Sequence, residues 1–394
     1  MVKFADRMSE MNSSDIRDIL KFAAVPGVFY FAGGMPAPEL FPVKEMRAAA
    51  DAVLDEMGAA AMQYSSAEGN PHLRELIANR LWEKNSIRTD AEHILITSGS
   101  QQGLDYAGHV FLNAGDTVIM ESPSYLGAIG AFKTCQPKFV TVPTDEDGMI
   151  MEELDRILDK TPSAKMIYVI PEFQNPTGRT WTQERRVKFM EIIEKHEIPV
   201  IEDNPYGELR YMGETLPSLK SMDKKDLIVY LGTFSKILAP GYRLAWVCAS
   251  SEILKKFNCM QQAASLQPST VSQMEVAKYL DLFDIDAHVA EIRATYAKRC
   301  KLMMDTMEGT FPEEVKFTHP DGGLFTWAEL PEYIDTRKMS VQALEKLVAY
   351  VPGEGFFPNG ERKNCLRLNY SNMPENRIVE GITILADVIR ANIK

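Results

Sequence analysis

From residue 93 onward, short β-branched runs alternate with amphipathic stretches, and no other feature of the chain restricts its fold as much. HILIT (93–97) precedes SQQGLDYAGHVFL, TVIME (117–121) precedes YLGAIGAF, and KFVTV (138–142) precedes MEELDRIL. KMIYVI (165–170), PVIED (199–203), LIVYLG and LAWVCAS continue the series, with TQERRVKFMEIIEKH as a further helical stretch. Strands that alternate with helical patterns build βα units. The expectation is therefore an α/β large domain, with a mostly parallel central sheet flanked by helices on both faces.

After about residue 285 the pattern changes. A long helical stretch (DIDAHVAEIRATYAKRCKLMMDTME) leads to the strand patterns GGLFTWAEL and NCLRLNYS and to a terminal helix, PENRIVEGITILADVIRANI. This points to a smaller α+β C-terminal domain over 286–394, beside a large domain over 41–285. Residues 1–40 read as an N-terminal arm that packs with the small domain; Ser14-Asp15-Ile16-Arg17 starts a helix there, ahead of the Gly/Pro-rich AGGMPAPELFP.

Composition removes several classes of function. The 394 residues carry a formal net charge of −12, which argues against a nucleic-acid or anionic-membrane surface but leaves room for a small basic pocket. Cys135, Cys248, Cys259, Cys300 and Cys365 are scattered without a CxxC pair, as reduced thiols of a cytoplasmic protein would be. The histidines show no metal-ligand spacing, so no structural metal is expected. MVKFADRMSE lacks the apolar core of a signal peptide, and no stretch reaches membrane-spanning length, so the expected location is the cytoplasm.

In a parallel α/β sheet, ligands bind beyond the carboxyl ends of the strands. Four segments fall there. SGSQQG (98–103) alone reads as an ordinary helix start, yet exposed amides at a helix N-terminus also make an anion seat. PEFQNPTGR (171–179) contains a turn former and reads as a plain loop, unless Asn175 donates to an oxyanion of a ligand. VIEDNPYGE (200–208) leaves Asp203 at the end of an apolar strand, where it either caps a turn or faces a cation, with Tyr206 as a phenolic donor. LGTFSKILAPGYR (231–243) sets Lys236 among Thr233, Ser235 and Arg243. Lys236 is either a solvated loop residue or an amine made nucleophilic by desolvation, beside groups suited to phosphate oxygens.

Taken jointly, an anion seat, a carboxylate for a ring cation, an amide and a phenol for a ring oxyanion, and an amine describe one cofactor. Pyridoxal phosphate has a phosphate, a pyridinium nitrogen, a phenolic oxygen and an aldehyde.

The chain resembles the fold-type I pyridoxal-phosphate aminotransferases of class I/II, nearest the branch of the alpha-aminoadipate (LysN-type) and kynurenine aminotransferases. FAGGMPAPELFP, QYSSAEGNPHLR, ITSGSQQGLD, ESPSYLGA, PEFQNPTGR, EDNPYGELRY, GTFSKILAPGYR and LRLNYS carry the resemblance in order along the chain. It implies a Schiff base between the cofactor and Lys236, which also shuttles a proton, and a ring nitrogen kept protonated by Asp203. It implies Asn175 and Tyr206 on the ring oxygen, Tyr125 stacked on the ring, and Ser100, Gln101, Thr233, Ser235 and Arg243 around the phosphate. Tyr64 of the neighbouring subunit would also reach that phosphate, which makes the active unit a homodimer. Arg367 would clamp the substrate carboxylate with help from Asn175, Gly34 would leave room for the substrate, and Arg17 would meet an acidic side chain. Two positions depart from the family pattern: Ser66 stands where Pro is common, and Asn204 where a second acidic residue is common.

The implied activity moves an amino group between an L-amino acid and a 2-oxo acid by a ping-pong route, with 2-oxoglutarate the expected acceptor. Aminoadipate, aromatic, branched-chain and glutamate-like donors all fit the inferred core. A C–S β-lyase on the same fold is the alternative enzyme, because a cofactor site does not fix the outcome of the reaction. An effector-sensing domain of a transcription regulator is the alternative outside catalysis. The acidic charge, and the lack of a helix-turn-helix pattern before residue 14, count against it and against a nucleic-acid partner.

Overall fold

The computed structural model describes residues 2–9 and 25–394. Its strands, in chain order, begin with Phe29–Tyr30 (β1), Ile94–Thr97 (β2), Thr117–Ser122 (β3), Lys138–Asp145 (β4), Gly148–Met149 (β5), Ala164–Val169 (β6) and Val200–Asp203 (β7). Ile228–Thr233 (β8), Ala245–Cys248 (β9), Lys316–Phe317 (β10), Phe325–Glu329 (β11), Val348–Ala349 (β12), Val351–Pro352 (β13) and Cys365–Asn369 (β14) follow.

Eight strands form the central sheet in the order β2-β9-β8-β7-β6-β3-β4-β5. The pairs β3·β4, β3·β6, β6·β7 and β7·β8 are parallel. Neighbouring strand residues serve opposite faces, and both faces are covered. Val118 and Met120 pack with Leu104, Ala107 and Phe132 of helices Ser100–Phe111 and Leu126–Lys133. Ile119 packs on the other side, with Leu154 of helix Met151–Lys160 and Phe189 of helix Gln183–His196. Burial on both sides is why these strands read as continuous apolar runs. The mostly parallel sheet flanked by helices is the expected fold.

One strand departs from the parallel pattern, and the site depends on it. LAWVCAS contributes β9, which runs antiparallel to both of its neighbours, β2 and β8. Its start, not its end, therefore lies at the carboxyl edge of the sheet. Arg243, two residues before β9, is thereby brought to the same edge as Thr97, Asp203 and Thr233.

A second, antiparallel sheet follows in the order β10-β11-β14-β13. It packs on the C-terminal half of helix Ile285–Thr310 and on helix Glu375–Asn392 through Met303, Met307, Leu366, Leu368, Ile382 and Leu385. The N-terminal half of helix Ile285–Thr310 belongs to the other core, where Val289, Ile292 and Tyr296 pack. One helix thus spans the junction of the two units. In the arm, β1 pairs in parallel with β12, so residues 29–30 join the C-terminal unit. No helix among the described residues is long and apolar enough to cross a membrane.

Candidate active site

The carboxyl edge of the central sheet and the face of the small antiparallel sheet enclose a cavity of about 230 Å³. Gly34, Ser100, Gln101, Tyr125, Asn175, Asp203, Tyr206, Thr233, Ser235, Lys236, Arg243 and Arg367 all line it. Segments separated by up to hundreds of residues converge there because β2, β3, β6, β7 and β8 end at one edge.

Lys236 lies in the turn after β8, and its Nζ donates to the Gly34 carbonyl at 2.7 Å. Burial, with the Arg367 and Arg243 guanidinium groups adding repulsion, lowers its pKa to about 8. Gly34 also lets the Phe325 ring pack against this wall: a Cβ there would lie 2.9 Å from the ring.

Asp203 ends β7 fully buried. Its Oδ2 accepts a hydrogen bond from Tyr168 Oη at 2.8 Å, while Oδ1 has no partner among the described residues. Burial raises its pKa to about 7, against the opposing effect of the Tyr168 bond. A carboxylate held this way lacks a cationic partner.

Around the anion seat, helix Ser100–Phe111 begins at Gly99 in a left-handed conformation (φ 89°). A Cβ at Gly99 would overlap the Arg243 guanidinium, so only glycine lets that cation sit against the helix start. Ser100 Oγ is buried without a partner among the described residues. Arg243 donates to the Ser98 carbonyl at 3.2 Å, and Thr233 Oγ1 donates to Ser235 Oγ at 3.0 Å. Gln101 Nε2 donates to the Gly127 carbonyl at 2.8 Å, beside Tyr125, which caps the next helix.

Arg367, in the middle of β14, reaches the cavity from the other side. Its NH1 donates to Asn175 Oδ1 at 2.8 Å and its NH2 to the Ala32 carbonyl at 2.7 Å, while Nε has no partner among the described residues. The guanidinium lies 4.1 Å from the centre of the Phe325 ring. Burial lowers its pKa to about 10. Asn175 also donates through Nδ2 to Tyr206 Oη at 3.2 Å, and burial raises the pKa of that phenol.

One of the named residues stands elsewhere. Tyr64 is 78% exposed and does not line the cavity of its own chain. Arg17 lies outside the described residues. Sequence reasoning missed Tyr168, Phe325 and the Ala32 carbonyl. Tyr168 had one available signal, a phenol inside the otherwise apolar run KMIYVI, but its partner lies on the neighbouring strand, and strand order is not written in the sequence.

The sequence profile described as aminotransferase class I and II matches residues 37–385. The aromatic-amino-acid aminotransferase 1 of Thermococcus litoralis is 41% identical to this chain, covering 99% of it and 95% of the relative. The kynurenine aminotransferase of Pyrococcus horikoshii, solved in complex with PMP, superposes with a TM-score of 0.95 at 38% identity, over 99% and 98% of the two chains. LysN, the alpha-aminoadipate aminotransferase of Thermus thermophilus, solved with N-(5'-phosphopyridoxyl)-L-leucine, superposes with a TM-score of 0.93 at 37% identity, over 98% and 97%. The chain belongs to the class I and II aminotransferases, as a pyridoxal-phosphate-dependent transaminase of fold type I near the LysN and kynurenine branch.

Proposed function

We propose that the protein is a homodimeric transaminase that takes its amino group from an aminoadipate, aromatic, branched-chain or glutamate-like donor and passes it to 2-oxoglutarate. One observation carries the substrate half of this reading. Arg367 is a buried guanidinium with, among the described residues, no partner for Nε and no acidic hydrogen-bond partner, and it has a place in the same cavity as Lys236. An amino acid and a 2-oxo acid share the carboxylate that such a group would bind.

The residues present suit pyridoxal phosphate. Asp203 Oδ1, an orphaned buried acceptor, would hold the proton of the ring nitrogen. Ser100 Oγ, an orphaned buried hydroxyl, would hold the phosphate with Gln101, Thr233, Ser235 and Arg243, at a helix start stripped of side-chain bulk by Gly99. Asn175 and Tyr206 would bond the ring oxygen, and Tyr125 would cover the ring face. When bound, the cofactor supplies an electron sink for the pair left on the substrate α-carbon.

The protein's own groups do the rest. Arg367, steadied by Asn175 and Ala32, binds the carboxylate and sets the orientation of the α-carbon. Lys236, with its pKa near 8, is substantially neutral at mildly alkaline pH, so Nζ can take the α-proton and hold it for return. Asp203, fixed by Tyr168, keeps its charge aimed into the cavity, where a cation would lower its raised pKa.

The dimer reading is supported by large apolar side chains left exposed on neighbouring segments. Met62 and Tyr64 are each 78% exposed, Leu266 is also exposed, and the two segments are joined by the bond from Ser65 N to Gln267 Oε1. In the dimer, Tyr64 of one subunit would reach the phosphate site of the other. The three-part division at residues 40 and 285 fits the two cores, with helix Ile285–Thr310 shared between them. Cysteines that stay free fit a cytoplasmic location.

The test is a half-reaction screen. Holoenzyme is mixed with each amino acid in turn, and conversion of the cofactor to its amine form is followed by absorbance. The converted enzyme is then reoxidised with candidate 2-oxo acids. Conversion by a donor of these classes and return by 2-oxoglutarate are expected. No return with 2-oxoglutarate would remove it as the acceptor.

A further inference from the structure

Behind the cavity lies a buried carboxylate that the reaction does not use. Glu121, near the end of β3, is 1% exposed and does not line the cavity. No lysine or arginine among the described residues donates a hydrogen bond to it. Its Oε1 accepts from Trp181 Nε1 at 3.0 Å, and its Oε2 from Gln174 Nε2 at 3.3 Å. Burying a carboxylate without a cation hydrogen-bonded to it is costly, so its position needs a reason. Burial raises its pKa to about 7, only partly offset by the Trp181 and Gln174 bonds, the Arg179 charge and the Met149 backbone.

Those two donors stand near the two ends of the loop that holds Asn175. Gln174 immediately precedes Asn175, and Trp181 closes the loop with its backbone N–H on the Pro171 carbonyl at 2.9 Å. The Gln174 amide is used at both ends. Its carbonyl accepts from Thr177 N at 2.9 Å and from Thr177 Oγ1 at 2.7 Å, while its NH2 also donates to the Pro123 carbonyl at 2.8 Å. Turning the amide over would set its carbonyl against the Glu121 carboxylate and its NH2 against the Thr177 N–H. The Glu121 carboxylate, together with the Pro123 carbonyl and the Thr177 N–H, therefore selects one amide orientation. On its outer side the loop is tied to the small sheet, where Thr318 Oγ1 donates to the Thr177 carbonyl at 2.6 Å.

We propose that Glu121 and Gln174 form a positioning pair for the substrate-carboxylate site, with Glu121 fixing the Gln174 amide and that amide fixing the loop that holds Asn175 against Arg367. Neither residue touches the cavity. The proposal rests on the reading of Arg367 as the carboxylate-binding group. Both substrates use that group, so loosening the loop should weaken donor and acceptor alike and leave the cofactor's hold unchanged.

Glu121→Gln tests this with little change of shape, since a glutamine there can accept from only one of the two donors. Gln174→Met removes the amide and keeps the volume. In holoenzyme, each variant is expected to raise the KM of both amino donor and oxo-acid acceptor by about 10-fold, with kcat changed less than about 3-fold. The double variant should be no worse than the poorer single one, because both changes break one path. Cofactor content and absorption spectrum should match the unchanged protein. Arg367→Lys separates the layers: if it leaves both KM values unchanged, the reading of Arg367 fails. If it raises them while Glu121→Gln and Gln174→Met do not, the positioning pair fails. Additive losses in the double variant, or lost cofactor with normal KM, also overturn the pair.

Discussion

Asp203 and Arg367 are both buried ionisable groups on the wall of one cavity, and burial moves each toward its neutral form, Asp203 up to about 7 and Arg367 down to about 10. They are held in different ways. Asp203 is oriented by Tyr168, which lies on the adjacent strand of the same sheet. Arg367 is oriented by Asn175 from a loop of the large unit, by the Ala32 carbonyl from the arm, and by the Phe325 ring from its own small sheet. One end of the site is therefore prebuilt by a single sheet, while the other exists only when three segments are assembled. The end proposed to hold the cofactor should tolerate shifts between the two units, and the end proposed to hold the substrate should not.

The largest effect is expected at Lys236, which joins the two ends through its bond to Gly34. Lys236→Ala should lose about 10³-fold or more of turnover, and borohydride should no longer fix the cofactor to the protein. Steady-state kinetics and mass measurement after reduction check this, and full activity in that variant would dissolve the comparison.

The contrast itself is tested by a pair of variants. Asp203→Asn should lower kcat by about 100-fold and weaken cofactor binding, since it removes a charge at the prebuilt end. Arg367→Lys should raise the KM of both substrates by about 10-fold or more with cofactor content unchanged, because an ammonium does not reproduce a bidentate fork. If both variants act on KM alike, the two ends are not separate.

The smallest effect sharpens the Asp203 side. Tyr168→Phe should reduce kcat by about 3- to 10-fold, the net worth of one ordinary hydrogen bond. It also has a pH signature in the cofactor-free protein. The pKa of Asp203 is raised from 3.8 to about 7, so between these values the folded chain binds more protons than the unfolded chain, and the stability from this group is lost as pH rises through the window. Asp203→Asn should flatten that slope of melting temperature against pH. Tyr168→Phe should extend it to higher pH, because removing the donor raises the pKa further.

Much of the site was legible in the chain because its parts are local. Lys236, Thr233, Ser235 and Arg243 share one stretch, and Asp203 and Asn175 each follow an apolar run that had to be a buried strand. The chemistry of a strand end survives any rearrangement of the sheet, so these residues could be named from residue type and order. Two named residues are not joined to the cavity by the described structure: Arg17 lies outside the described residues, and Tyr64, in the large unit, does not line the cavity of its own chain.

What the sequence determined by itself was the α/β class, the strand ends that carry chemistry, and the cofactor their combined groups describe. Only the tertiary structure decided that β9 runs antiparallel and so delivers Arg243, that Tyr168 meets Asp203, and that Glu121 stands behind Asn175. Periodicity and residue type report what a segment buries, which is a local property. Partners across strands depend on strand order and direction, which are set by packing between segments far apart in the chain.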